Sequence, residues 1–300
     1  MILIDGNSLG YAAASHSKLY DGVEIGAISH FINRIREIRV MFDGPILILW
    51  DGKSWRYDIY SNYKGKRNIN PSQIALKKNW QEQKPHIQSA LQLLGIDQLS
   101  AFNMEADDLA ARVSMQKNKE SHIFITSDQD WLQLLQSKND VWFNPRTSTY
   151  IQLSNFKKFT SFETPIAFTQ GKALMGDVSD NISGVGGIGP VNAIWLLNEV
   201  KNLDLFLERS LDPAGDMKAL NANNVITSFV VNKIKLDAYR RNMNLINLKS
   251  PHLPKAEHFT VIKASFNQEA FTVLAENFNL ISIIMNMNTW IKPFDMNLEE

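Results

Sequence analysis

The chain has 300 residues, 44% of them hydrophobic and 10% aromatic, enough for a sizeable core in one large domain or about two. Its 31 basic residues are matched by 31 acidic ones, so net charge carries no signature of nucleic-acid binding, and such a reading must rest on local distribution. The absence of cysteine excludes disulfides, thiolate zinc sites and cysteine nucleophiles, leaving oxygen ligands for any metal.

Ile2-Leu3-Ile4 reads as a short, wholly apolar strand ending at the turn Asp5-Gly6-Asn7. Helical periodicity runs from Ala27 to Met41. A second apolar strand, Ile46 to Trp50, ends at Asp51-Gly52. Helical patterns follow at Gln81 to Leu94 and Asp107 to Met115, and Ile123-Phe124-Ile125-Thr126 is a third strand ending at Ser127-Asp128. Apolar strands alternating with helices predict an α/β fold with a parallel sheet covered on both faces.

After about Gly171 strand-like runs vanish, and short helical segments punctuated by Gly, Pro, Asn and Asp continue through Leu248. Pro251 and Pro254 mark a break before a last segment, Phe259 to Pro293. The expected organisation is an α/β unit over 1–175, with a segment rising over it at about 53–86, and a helical unit over 176–300. In the last segment Phe271, Leu274, Phe278, Leu280, Ile281 and Ile284 are expected to pack onto the helical unit. Docking of a sliding clamp or single-strand-binding protein is the alternative use of that stretch. The N-terminal apolar run is too short for a signal peptide and no stretch approaches ~20 apolar residues, so a cytoplasmic protein without membrane contact is expected.

Each predicted strand delivers an acid at its C-terminal end: Asp5, Asp51, and the pair Asp128 and Asp130. In open α/β sheets ligands bind beyond the carboxyl ends of the strands. Glu105, Asp107 and Asp108 in FNMEADDLAARV join them, with Glu105 and Asp108 at i, i+3 on one helical face. Each motif alone is a common cap or turn. Together they are a different matter, because two carboxylates about 4 Å apart repel by about 4 kcal/mol at an effective dielectric near 20. Hard Mg²⁺ or Mn²⁺ is the fitting compensation, and paired ions at such acidic sites drive phosphoryl chemistry. The six histidines show no ligand spacing.

From Lys53 to His86 eight cations (Lys53, Arg56, Lys64, Lys66, Arg67, Lys77, Lys78, Lys84) face only Asp58 and Glu82, interleaved with Trp55, Tyr57, Tyr60, Tyr63 and Trp80. Cations alternating with aromatics suit single-stranded nucleic acid. Further on, Gly184, Gly186, Gly187 and Gly189 precede Pro190, a natural first residue of a helix, so the stretch resembles a helix-hairpin-helix whose backbone N–H groups approach phosphate. Just upstream, Asp177 and Asp180 are spaced i, i+3, as if on one helical face.

The order IDGN, WDG, YKGKR, EADD, TSDQDW, GDVSDN and GVGGIGP resembles the 5′-nuclease superfamily that includes flap endonucleases and the 5′-nuclease domain of bacterial DNA polymerase I. The later LDAYRRNMNLINLKSPHLP is similar, more weakly, to its phage members, among them the T-even enzyme known as RNase H. The resemblance implies a PIN-like sheet with a helical arch at 53–86 and an α-helical helix-hairpin-helix (H3TH) region. It implies that Asp5, Asp51, Glu105, Asp107, Asp108 and Asp128 form or support one metal site and that Asp130, Asp177 and Asp180 serve a second. Lys64 and Arg67 would act on the scissile phosphate. Tyr63, Lys66 and the hairpin Gly184, Gly186, Gly187, Ile188 and Gly189 would hold DNA, with K⁺ at the hairpin. The implied activity is divalent-metal-dependent 5′→3′ exonuclease and flap cleavage during DNA replication, removing 5′ flaps or the RNA of an RNA–DNA hybrid, by a monomer in the cytoplasm (the host's, if phage-encoded).

Two positions depart from the family pattern: Ala12 and Val191 stand where many members carry Arg and Lys, which weakens the expected grip on DNA without touching the carboxylates. A catalytically inactive DNA-binding protein of the same fold is the alternative reading. A PIN-like ribonuclease would lack arch and hairpin, and a phosphatase built on Asp5 would want an acid where Asn7 stands.

Overall fold

The structure, a computed structural model, describes residues 1–65, 70–116, 120–250, 253 and 259–295. Its main sheet is built from β1 (Ile2–Asp5), β2 (Ile46–Trp50), β3 (Asp97–Ala101), β4 (Ile123–Ile125), β5 (Val141–Asn144), β6 (Thr149–Ile151) and β7 (Phe259–Ile262). The strand order is β7-β3-β2-β1-β4-β5-β6. From β3 through β5 the strands are parallel; β6 and β7 close the two edges antiparallel.

The central strand β1 is buried throughout because its side chains meet apolar layers on both faces. Ile2, Ile4, Ile48 and Trp50 pack toward α1 (Gly6–Ala14), α2 (Gly26–Met41) and α3 (Pro71–Leu93). Leu3, Leu49 and Phe124 pack the other way, toward α4 (Ala106–Gln116) and the 3₁₀ turn Gln129–Leu134. That second core continues without interruption into α5 (Pro165–Met175), α6 (Pro190–Val200) and α7 (Lys233–Ile246). The expected division near 175 thus falls inside one continuous apolar cluster.

Register places the acids. Asp5 stands opposite Leu49, so Asp51 lies just beyond the end of β2, and Ile4 stands opposite Ile125, so Asp128 lies just beyond β4. Helix α1 starts at once after β1 and lies tight between the sheet and α3: a Cβ on Gly6 would overlap the Trp50 ring of β2 at 2.4 Å, and one on Gly10 the Trp80 ring of α3 at 2.2 Å. Helix α3 begins ten residues before the periodicity at Gln81, with Asn70 capping Ser72 N–H and Pro71 opening the first turn.

The C-terminal segment corrects an expectation. It returns to the α/β unit, where β7 pairs with β3 (Phe259 opposite Ala101, Ile262 opposite Gln98). Helix α8 (Gln268–Asn277) packs on α3, with Phe271, Leu280 and Ile283 in the same core as Phe31 and Ile87. Trp290 stacks on Phe271 and Phe294, its indole N–H donates to Asn33, and Arg36 and Arg39 donate to the carbonyls of Trp290 and Pro293. An apolar stripe specifies that a helix buries one face; it does not name the partner. Of the six apolar residues weighed for packing or docking, Phe271 and Leu280 are spent in this core, Leu274, Phe278 and Ile284 pack against it half-buried, and Ile281 stays exposed. Among the described residues no helix is long and apolar enough to cross a membrane.

Candidate metal-binding active site

Four strand ends and turns bring carboxylates to one edge of the sheet, each held by a donor from a neighbouring element. Asp5 caps α1 by accepting from Ser8 N–H (2.8 Å) and also accepts from Thr126 Oγ1 (2.9 Å). Asp51 accepts from Ala106 N–H (2.8 Å), linking the β2 turn to the first turn of α4. Asp107 accepts from the Trp131 indole (2.6 Å), and Asp128 caps the 3₁₀ turn through Asp130 N–H (2.8 Å). Burial, then the charges of Asp51 and Asp128, push the Asp5 carboxyl up to about 7. Burial, then Asp128, Glu105 and Asp5, push Asp107 well above the carboxylate range. These acids feel one another, which is the electrostatic mark of convergence.

Two lysines stand on the other side of the balance. Lys64 pairs with Glu105, lies 4.0 Å from Asp180, and donates its backbone N–H to the Asp180 carbonyl (2.9 Å). Against the effect of burial, Lys64 and Arg56 hold Glu105 below the usual carboxylate range. Lys172, on α5, bridges Asp130 and Asp177 (2.8 Å to the latter). Burial opposes it, yet Lys172 holds Asp177 at about 2, while burial and Asp128 push Asp130 upward in spite of the same lysine. Lys172 was invisible to motif reading; the available signal was a lone cation inside the otherwise uncharged helix PIAFTQGKALM.

Asp177 and Asp180 do not share a helical face. They sit at the ends of a tight turn between the two-residue strands Gly176–Asp177 and Ile182–Ser183, where Asp177 accepts from Ser179 N–H, Ser179 Oγ and Asp180 N–H. Short polar side chains at a turn satisfy the backbone locally, and this competes with helix. Asp107, Asp130, Asp177 and Asp180 nonetheless line one small pocket beside Tyr63.

Asp108 departs from its expected place as a metal ligand. It is fully buried and turned away from the crevice, accepting from both terminal nitrogens of Arg56 (3.1 and 2.9 Å), from the Trp55 indole (3.2 Å) and from Glu105 N–H (3.0 Å). Arg56, 2% exposed, also reaches Glu105 (3.0 Å) and the Leu245 carbonyl on α7 (2.7 Å). A buried arginine needs a planar, bidentate partner, and Asp108 is that partner. Tyr63 likewise is core, 2% exposed, with its hydroxyl donating to Glu105 (3.0 Å), so its expected role as a DNA contact fails on accessibility. Trp55 and Trp80 are buried too, which leaves Tyr57 and, in part, Tyr60 as the accessible aromatics of the basic segment. Lys66 and Arg67 lie outside the described residues.

In the glycine-rich stretch, Gly186 (φ 81°) and Gly187 (φ 79°) occupy the left-handed region that favours glycine, and Gly189 caps α6. Gly184 serves packing, since a Cβ there would overlap the Met175 carbonyl at 2.3 Å, and the Ile188 side chain is buried, leaving only its backbone for a ligand.

Among the described residues no three carboxylate or imidazole groups, as placed, close into a ready coordination cage, and Lys64 and Lys172 neutralise part of the cluster instead. The donor chemistry fits a hard divalent ion all the same. It is all oxygen, Asp5 and Asp107 form no ion pair with a cation among the described residues while burial and the other acids disfavour their charged forms, and Asn7 Oδ1 is buried at the same strand end without a partner.

A family model described as the 5′-3′ exonuclease N-terminal resolvase-like domain matches residues 1–160. A 5′-3′ exonuclease of Mycoplasma pneumoniae is 33% identical over 221 residues, covering 68% of this chain and 73% of that protein. The 5′-3′ exonuclease of Mycoplasma genitalium is 31% identical over 270 residues, 83% of this chain and 90% of that one. Among solved structures, the D15 protein of phage T5, co-crystallised with metal ions, superimposes with a TM-score of 0.65 at 20% identity, covering 100% of this chain and 99% of that one.

Proposed function

From the premise that this chain belongs to the 5′-3′ exonuclease family, and so is a nuclease, we propose that it is a divalent-metal-dependent enzyme of replication that trims 5′ flaps or primer ends from duplex DNA, RNA primers included. The observation that carries the reading is the meeting of Asp5, Asp51, Asp107, Asp128 and Asp130 at one sheet edge, faced by Lys64 and Lys172.

Asp5, Asp51, Glu105, Asp107 and Asp128 would hold one ion and Asp130, Asp177 and Asp180 a second; Asp108 supports Glu105 through Arg56. Bound there, Mg²⁺ or Mn²⁺ supplies Lewis-acid polarisation of the scissile phosphate and a water acidic enough to attack it. Lys64 is tied at its backbone to the Asp180 turn, so its ammonium stays at the mouth of the crevice and can exchange Glu105 for a phosphate oxygen. Lys172 keeps Asp130 and Asp177 side by side against their repulsion. From their positions in the sequence, Arg67 would act with Lys64 on the scissile phosphate and Lys66 would bind DNA. Gly186 and Gly187 free their backbone N–H groups for the phosphates of the duplex, with K⁺ as the monovalent ion suited to the hairpin carbonyls.

Cleavage of a 5′-labelled flap duplex and a matching RNA-primed duplex, each with Mg²⁺ or EDTA, tests this. Metal-dependent release of 5′-end products from either is the expected result, and the preferred substrate separates flap processing from primer removal. Binding without cutting in both Mg²⁺ and Mn²⁺ would leave a non-catalytic DNA-binding protein.

A further inference from the structure

Phe102 exposes 75% of its surface in the loop that leads from β3 to Glu105 and Asp107. Its carbonyl accepts from Lys53 N–H (2.8 Å), and Gly52 lies so close that a Cβ would stand 1.9 Å from the Ala101 carbonyl oxygen. The loop carrying Asp51 and the loop carrying Phe102 are therefore laced together at the acidic edge. On α3, the Lys84 ammonium sits 4.7 Å from the ring centroid of Trp50, the residue before Asp51. Lys84 is half-buried, and neither it nor Lys53 pairs with a carboxylate among the described residues. Burial pulls the Lys84 ammonium below its ordinary range, with Asp51 the acid that opposes this.

Single exposed apolar side chains are ordinary on a protein surface. This one is tied through its carbonyl to Lys53 on the Asp51 loop, and Lys84 of α3 lies against Trp50, the residue before that same acid. We propose that Phe102, Lys53 and Lys84 form a nucleotide subsite beside Asp51, in which the ring stacks on a base of an unpaired strand and the ammonium groups hold its phosphates. A bare aromatic face serves any base, and ammonium groups not held in an ion pair with a carboxylate are available to the phosphates of a bound strand. The subsite rests on the nuclease reading and adds to it the side chains that would hold one unpaired nucleotide beside Asp51.

The test compares wild type, Phe102→Ala, Phe102→Tyr and Lys84→Met, the last keeping an apolar stem on Trp50. Affinity for a fluorescent duplex bearing a single-stranded 5′ flap, and for a blunt duplex, is measured in EDTA across a salt series, with thermal melting as the fold control. Stacking of about 1–3 kcal/mol per base predicts a loss of flap affinity of roughly five- to 150-fold in Phe102→Ala, restored by Phe102→Tyr. Lys84→Met should lower the slope of log affinity against log salt by about one on the flap substrate. Blunt-duplex affinity should stay at wild type in all three. Wild-type flap affinity in Phe102→Ala, equal losses on both substrates, or an unchanged salt slope in Lys84→Met would overturn the subsite. Failure of the nuclease reading would look different: wild type that cuts nothing in Mg²⁺ or Mn²⁺ while these binding differences stand.

Discussion

Replacing Arg56 by Met probes how the arch base, the start of α4 and the helical region are held together. The guanidinium makes two bonds to Asp108, one to Glu105 and one to the Leu245 carbonyl, with 2% of the residue exposed and Asp108 fully buried. Removing one member of a buried pair leaves the other charge unsolvated, a loss of about 3–5 kcal/mol. At about 2 cal/mol/K of unfolding entropy per residue, a chain of this length loses about 1.6 °C per kcal/mol, so Tm should fall by about 5–8 °C. Adding Asp108→Asn to Arg56→Met should recover on the order of half the loss, because the stranded charge disappears. Urea unfolding followed by circular dichroism measures both variants. A single variant within about 1 kcal/mol of wild type, or a double variant losing the sum of the two singles, would refute the pairing and return Asp108 to the crevice as a candidate ligand.

Asp128→Ala should abolish cleavage while flap-duplex affinity in EDTA stays within a few-fold of wild type; retained turnover would remove the assignment of Asp128 as a ligand. Lys64→Ala should lower single-turnover rates by two or more orders of magnitude at saturating DNA, as loss of a transition-state contact does, and an effect on KM alone would make it a docking residue. Asp140, 2% exposed, ties its loop by accepting from Gln136, Ser137 and His122 N–H groups; burial pushes its carboxyl up, but the His122 side chain and these N–H groups outweigh that and hold it at about 2 against an ordinary 3.8. Its folded value is the lower, so its stabilisation of about 2 kcal/mol is full above pH 4 and is lost as pH falls toward 2; Asp140→Ala should lose about that much at pH 7 and flatten the acid slope in urea titrations across that window. Gly187→Ala should weaken duplex binding and lower Tm slightly, since φ is 79° and the new methyl would meet Val225 at 3.3 Å; an unchanged melt and affinity would show that the hairpin does not need this conformation.

Strands β1, β2 and β4 were legible because each is a run of apolar residues buried on both faces and stopped by Asp, a pattern that needs no partner to be recognised. The acids Asp5, Asp51 and Asp128 followed from the same rule, since a parallel sheet sends every strand end to one edge. Strand β3, Asp97–Ala101, escaped notice because it is only partly apolar, with Gln98 buried by donating to the Gln88 carbonyl and accepting from Trp50. Strand β7 escaped because its pairing partner lies 158 residues away by sequence, between Ala101 and Phe259.

Local pattern alone thus determined which segments are strands ending in acid, and so which carboxylates gather at one edge of the sheet. Tertiary structure alone decided which acids face the crevice: Asp107 and Asp108 are neighbours in one helical turn, yet Arg56 draws Asp108 into the core while Asp107 meets Trp131 at the edge. It likewise decided that Tyr63 and Trp80 are buried rather than offered to bases, and that the C-terminal segment closes the sheet instead of extending the helical region. The reason is physical: periodicity is set by the backbone and is readable one residue at a time, whereas the partner of a buried charge or of an apolar stripe is chosen by shape and charge across the fold.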